Sequence, residues 1–178
     1  LWPKKTPGFE NTATRPKLAT TPQVPAKPKV ASKPISLEDV GKLWAIVRSP
    51  GRTKLDYEQA RQSARLAAAR FPENGLVLRT IGVADYRCGS AVSAILNLKA
   101  ARKLNAKAAG HEDPIDIAFL AMCAHSKGRK EEALKGRALV MKLMESNAPA
   151  EGDTETAAIV KEMEEFLATP PPPPSNSP

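Results

Sequence analysis

Small residues recur in this 178-residue chain at a spacing that corresponds to one helical hairpin. Ala60 and Ala94 are 34 residues apart, and Gly89 and Gly128 are 39 apart, which is the same period with five residues inserted. Two further pairs keep these spacings: Ala67 with Ala101, and Ala94 with Ala133. A period of about 30 to 45 residues is typical of stacked helix–turn–helix units. One hairpin alone cannot bury its apolar side, so the recurrence predicts an array of hairpins.

The segment 78–101 shows what each unit looks like. Apolar residues at helical spacing precede Gly89, and small residues at helical spacing follow it. This pattern predicts two amphipathic helices joined by a glycine turn. Gly82 falls inside the first helix, where glycine costs about 1 kcal/mol relative to alanine. We therefore expect a close crossing of two helices at which Gly82 admits the bulk of a neighbouring side chain, and we expect Ala94 and Ala101 to be small for the same reason.

Capping and turn residues divide the rest of the chain into further helices. The capping pairs that we recognise are Ser36 with Asp39, Asp56 with Gln59, and Asp113 with Pro114. A last amphipathic stretch begins near Asp153, which brings the prediction to seven helices and negligible strand. The sixth predicted helix contains Ala133, Leu134, Ala138, Met141 and Met144.

The period and the residues at the matching positions resemble the tetratricopeptide repeat. The structural positions that match are Trp44, Ala60, Ala67 and Pro72 in the first copy, Gly82, Gly89, Ala94 and Ala101 in the second, and Gly128 and Ala133 in the third. The resemblance implies an all-α fold, a right-handed α–α superhelix of about three helix pairs with a C-terminal capping helix. The segments TIGVADYRCG and DIAFLAMCAHSKGRKEEA also look like the C-terminal repeat region of large bacterial proteins that carry a serine/threonine kinase or WD40 portion.

Proline and charge are concentrated at the ends of the chain. Seven prolines precede Ser36, and six follow Thr169. Residues 1–36 hold seven lysine or arginine side chains against one glutamate, whereas the remainder holds twenty basic and eighteen acidic side chains. We predict a disordered Pro/Lys-rich linker over 1–35, the repeat domain over 36–168 and a proline-rich tail over 169–178. The net charge of +8 therefore belongs mostly to the linker.

The resemblance also implies where a partner binds, because the first helix of each tetratricopeptide pair lines a concave surface. The partner-facing residues implied are Arg79, Val83, Tyr86, Arg87, Met122, His125 and Ser126. Arginine, tyrosine and methionine are enriched at the centres of protein interfaces. The expected function is a non-catalytic scaffold that binds a protein or peptide, including other domains of the same polypeptide. Two sets of charges are interpreted as solvated: Lys99, Arg102, Lys103 and Lys135 on the outer helices, and Glu162, Glu164 and Glu165 on the capping helix.

Two alternative functions stay open at this stage. The basic N-terminal arm could associate with nucleic acid, or the domain could regulate a kinase on the same polypeptide. Nucleic acid is disfavoured because the arm lacks interleaved aromatic residues and the rest of the chain is nearly neutral. The sequence contains no phosphate loop, metalloprotease motif or nucleophile elbow, so we expect no enzymatic activity and no cofactor. The cluster around His111, with Glu112, Asp113 and Asp116, is interpreted as loop and helix cap rather than as a metal site.

Compartment is not readable from the sequence. No apolar run reaches the roughly 20 residues that a membrane-spanning helix needs. Cys88 and Cys123 fall on apolar helix faces, so we expect free buried thiols, which favours a reducing compartment such as the cytoplasm. The chain starts at Leu1 without methionine, and we interpret it as a fragment or the mature end of a longer protein.

Overall fold

The computed structural model describes residues 34–146 and 153–170, which form seven α-helices and no strand. The helices are α1 (Leu37–Arg48), α2 (Lys54–Ala68), α3 (Gly75–Arg87), α4 (Ala91–Ala109), α5 (Pro114–Ser126), α6 (Lys130–Ser146) and α7 (Thr154–Leu167). The predicted all-α class is confirmed. Almost all of the predicted linker and proline-rich tail lies outside the described residues. No helix in the described ranges is long and apolar enough to cross a membrane.

Side-chain caps start the first two helices. At α1, Ser36 Oγ accepts from the backbone N–H of Asp39 at 3.2 Å, and the Asp39 carboxylate accepts from the Ser36 N–H at 3.0 Å. This capping box is the one that the sequence predicts. The prediction that Asp56 pairs with Gln59 at the start of α2 is wrong, because the N-cap is Thr53 and Asp56 is the third helical residue of its box. Hydrogen bonds from the side chain and then the backbone of Thr53 lower the pKa of Asp56.

The two glycines that are 39 residues apart end α3 and α5 in the same way. Gly89 and Gly128 have φ angles of 80° and 72°, in the left-handed region that other residues adopt only at a cost. The backbone N–H of the residue after each glycine donates to the carbonyl oxygen five residues earlier. Ser90 donates to Asp85 at 2.8 Å, and Arg129 donates to Ala124 at 2.9 Å. This is the hydrogen bond of a Schellman ending. The sequence recurrence therefore corresponds to a recurrent helix ending.

Each of the helices α1 to α5 packs against the next one along the chain, and α1, α3 and α5 also contact one another in sequence. The last helix, α7, does not continue this succession. It packs mainly on α5, and its side chains also contact residues of α1, α3 and α6. Helices α1, α3 and α5 thus share a surface on which α7 lies.

Aromatic side chains join these elements in the core. Phe119 of α5 is fully buried and packs edge-on against Trp44 of α1 and Tyr86 of α3, with ring centroids 6.4 and 5.9 Å apart. Only some of the apolar residues of α6 reach the core. Ala133 and Val140 are buried, whereas Leu134 is 48% exposed.

The structural positions of the repeat are mostly interior. The buried ones are Trp44, Ala60, Ala67, Gly82, Ala94, Ala101 and Ala133. Pro72 is exposed in the turn before α3. At Gly82, an added Cβ would lie 2.7 Å from Leu98 Cγ and 3.1 Å from the Leu98 backbone nitrogen. Gly82 therefore admits the bulk of Leu98, as expected for a glycine at a close helix crossing.

Gly82→Leu is expected to lower the free energy of unfolding by roughly 1–3 kcal/mol, because the added side chain overpacks the crossing of α3 and α4. Gly41 on α1 provides the matched control, since nothing lies within 4 Å of its added Cβ. Gly41→Ala should raise stability by about 0.5–1 kcal/mol through helix propensity. Urea unfolding followed by circular dichroism measures both. Equal stability of Gly82→Leu and the wild type would contradict the close crossing.

Candidate functional site

Two glutamates on α7 anchor it to the surface formed by α1 and α3. Near the start of α7, Glu155 accepts a hydrogen bond from Trp44 Nε1 at 2.7 Å and forms an ion pair with Arg48. Two helical turns further on, Glu162 forms a two-fold ion pair with Arg87, in which Nη2 lies 2.8 Å from Oε2. Both glutamates thus meet donors on the helices below them. We define the α7 seat as five residues of α1, α3 and α5 that contact side chains of α7: Trp44, Arg48, Tyr86, Arg87 and His125.

Arg87 joins three helices at one point of the seat. It lies in the last turn of α3 and donates to the carbonyl oxygens of Val47 and Arg48 at 3.1 and 3.0 Å, which are the last carbonyls of α1. A cation is favoured there because the carboxyl end of a helix carries partial negative charge. Burial disfavours the charged guanidinium, but hydrogen bonding and attraction from Glu162 outweigh it, and the pKa of Arg87 is raised.

The far end of α7 is held by aromatic contacts. Phe166 packs edge-on against Tyr86 and His125, with centroid distances of 6.1 and 5.2 Å. The Tyr86 hydroxyl lies 3.7 Å from the sulfur of Met122. Burial first, and then the charge of Glu162, raise the pKa of Tyr86, so its hydroxyl stays protonated at neutral pH.

Arg79 lies deeper, between α3 and α5. Its Nε and Nη2 donate to the two carboxylate oxygens of Asp116 at 2.7 and 2.8 Å, and Nη2 also pairs with Asp113. Asn105 donates to the same Asp116 carboxylate at 2.8 Å. Burial works against the charge, but the bonds to Asp116 dominate and raise the pKa of Arg79. The guanidinium is therefore committed to internal carboxylates.

The seven residues expected to face a partner fall into two groups, those that contact α7 and those that lie elsewhere in the domain. Tyr86, Arg87 and His125 contact α7 directly. The others are Arg79 in its internal ion pair, Val83 and Met122 at 0% exposure, and Ser126 in a half-buried position. Helix α7 therefore covers the part of the expected surface that Tyr86, Arg87 and His125 form. The role of all seven residues toward a partner stays a prediction.

Sequence reasoning missed the acidic partners on α7. Glu162 and Glu164 were expected on a solvated side, and this is wrong: Glu162 pairs with Arg87, and Glu164 with Arg137 of α6 at 2.7 Å. The available signal was the seven-residue spacing of Glu155 and Glu162 along the apolar stripe of the helix. That spacing places both carboxylates on one helix face.

The carboxylates near His111 each have a structural partner. Glu112 pairs with Arg102 at 2.6 Å, Asp113 accepts from the N–H of Ile115 at 2.9 Å as the cap of α5, and Asp116 binds Arg79. In the part of the chain that the structure describes, no group of three His, Cys, Asp or Glu residues could hold a metal ion.

Both cysteines are free thiols, with Cys88 half-buried and Cys123 buried. Burial raises the pKa of Cys123 to about 12 and also raises that of Cys88. Because the thiolate is the reactive form, these thiols are poor nucleophiles at neutral pH.

The groups that converge in the described region are cations, N–H donors and aromatic rings, which suit non-covalent binding of a helix. Comparisons of the chain with protein-family models, with curated proteins and with solved structures found no match.

Proposed function

We propose that this chain is a non-catalytic, tetratricopeptide-like interaction domain. In this proposal α1–α2, α3–α4 and α5–α6 are three helix pairs of a right-handed superhelix, and a peptide or protein segment binds on the face of α1, α3 and α5. The observation that carries the proposal is that this face already holds a helical segment, α7, through polar and aromatic contacts. The matching helix endings at Gly89 and Gly128 support the repeat.

The chemistry of the α7 seat supports a binding role. Tryptophan, tyrosine and arginine are the residue types that contribute most at the centres of protein interfaces. The seat contains one tryptophan, one tyrosine and two arginines, and the guanidinium of Arg87 offers two N–H donors that match a carboxylate. The aromatic rings offer apolar contact area to a bound segment, and the neighbouring guanidinium fixes the orientation of that segment.

Binding is tested with a random peptide library displayed on phage and the immobilised full chain. We expect selected peptides to bind Tyr86→Ala and Arg87→Ala more than tenfold more weakly than the wild type, because truncating an interface anchor typically costs 2 kcal/mol or more. Lys99→Ala and Lys135→Ala, which remove exposed charges of α4 and α6, are the controls and should change affinity little. Fluorescence anisotropy with labelled peptide gives the dissociation constants, and circular dichroism checks that each variant is folded.

Two results would count against this function. Losses concentrated in the two lysine variants would move the site to the opposite side of the domain. The absence of any selected peptide that distinguishes Arg87→Ala from wild type would remove the support for binding on this face.

A further inference from the structure

We infer that α7 occupies the seat as an internal ligand and that the partner of this face is an acidic amphipathic helix that replaces α7. The replacing helix carries two carboxylates seven residues apart, with apolar side chains between and after them. This inference rests on the proposed function and specifies the kind of segment that the face binds.

The contacts of α7 define the pattern that a replacing helix must reproduce. Its anchors are Glu155, Ile159, Glu162, Met163 and Phe166, at relative positions 0, 4, 7, 8 and 11. These positions fall on one face of an α-helix. Ile159 and Met163 are 3% and 0% exposed, the two glutamates meet Arg48, Arg87 and the indole N–H, and Phe166 meets aromatic rings.

Charge complementarity selects an acidic partner. The polar groups that the seat directs at α7 from α1 and α3 are the guanidinium groups of Arg48 and Arg87 and the indole N–H of Trp44. On α6, Arg137 adds a further cation opposite Glu164. A basic or neutral helix would leave these partly buried donors without acceptors, which is unfavourable. Buried Met122 and Phe119 lie in the same apolar cluster as Ile159 and Met163, so the face also requires an apolar stripe.

The fit of α7 is incomplete, which leaves room for a better ligand. Within the described residues, Nε2 of His125 and Oε1 of Glu164 are buried without a hydrogen-bond partner. An unpaired buried polar atom loses its hydration and gains nothing in return. A helix that places a polar group opposite His125 would recover that loss. Helix α7 is also the last described helix, so its release leaves the packing of α1 to α6 on one another in place.

A second copy of this chain is a weaker candidate for the same face. The α7 of a second copy would bring the same side chains and leave the same two atoms, His125 Nε2 and Glu164 Oε1, unpaired. Such an exchange gains no contact over the internal arrangement. It also gives up the covalent connection that makes the binding of α7 intramolecular and so raises its effective concentration. A different acidic helix can improve on α7.

The test uses the full chain and a fluorescein-labelled peptide of residues 153–169. The released variant carries Ile159→Asp and Met163→Asp, which place charges in the apolar part of the α7 interface. We expect the peptide to bind the released variant at least tenfold more tightly than it binds the wild type, where tethered α7 competes. Arg87→Glu in the released variant should weaken binding at least tenfold, and the peptide with Glu162→Arg should restore most of it. Lys99→Glu in the same background is the matched control and should leave affinity unchanged.

A second preparation covers the case in which the released variant does not fold. A protease site is placed between Ser146 and Asp153, the folded chain is cut there, and exchange of the labelled peptide for the resident helix is followed by anisotropy. Absence of binding and of exchange overturns the inference, as does binding without charge rescue. Self-association that excludes the peptide assigns the face to a second copy and also overturns it.

The two proposals fail in different ways. If library peptides depend on Arg87 but lack paired acidic residues seven apart, and the α7 peptide does not bind, the acidic-helix inference is wrong and the proposed function stands. If neither library peptides nor the α7 peptide bind in an Arg87-dependent way, both are wrong.

Discussion

Arg79→Ala is expected to lower the free energy of unfolding by about 3–5 kcal/mol, because it leaves a buried carboxylate without its main partner. Asp116 is fully buried, and its carboxylate accepts hydrogen bonds from Nε and Nη2 of Arg79. Among the described residues, the amide of Asn105 is the donor to Asp116 that remains after the substitution. The loss arises from the desolvated charge that remains rather than from the attraction that is removed.

The matched control for Arg79 is Arg102, which pairs with Glu112 in a more solvated place. The side chains of Arg102 and Glu112 are 34% and 38% exposed, compared with 10% and 0% for Arg79 and Asp116. Arg102→Ala should therefore cost only about 0.2–1 kcal/mol. Urea unfolding of both variants gives the comparison. Similar losses for the two would show that burial of the Arg79 pair does not set its contribution.

Phe119→Ala is expected to destabilise the domain by about 3–5 kcal/mol, the range for removing a large aromatic side chain from a core. Phe119 is fully buried and contacts Trp44 and Tyr86, so its loss opens a cavity where α1, α3 and α5 meet. Because the surroundings of Phe119 come from three helices, the cavity cannot close by movement of one side chain.

Two variants test whether the loss at Phe119 comes from the cavity. Phe119→Leu keeps an apolar side chain of considerable volume and should cost less than Phe119→Ala. Leu66 is 62% exposed on α2, so Leu66→Ala should stay within about 0.5 kcal/mol of the wild type. Unfolding free energies from urea titration decide the order. A Phe119→Ala variant as stable as Leu66→Ala would contradict the core described here.

The sequence by itself determined the features that depend on neighbouring residues. Local hydrogen bonding and backbone preferences account for the all-α class and the seven helices of the described residues. They also account for the capping box at Ser36 and for the proline at the start of α5. The 39-residue recurrence of glycine was also readable, because a left-handed helix ending favours the residue without a Cβ. The cap of α2 was assigned three residues too late, since Asp56 can serve as a cap or as the third residue of a box led by Thr53.

The tertiary structure alone decided which faces meet. Apolar periodicity shows that one side of a helix is buried, but the partner of that side is set by contacts between residues far apart in the chain. The sequence therefore could not show that α7 lies across α1, α3 and α5, or that Arg87 binds Glu162, 75 residues later. For the same reason the sequence could not show that packing of α3 on α5 places the charge of Arg79 against Asp116.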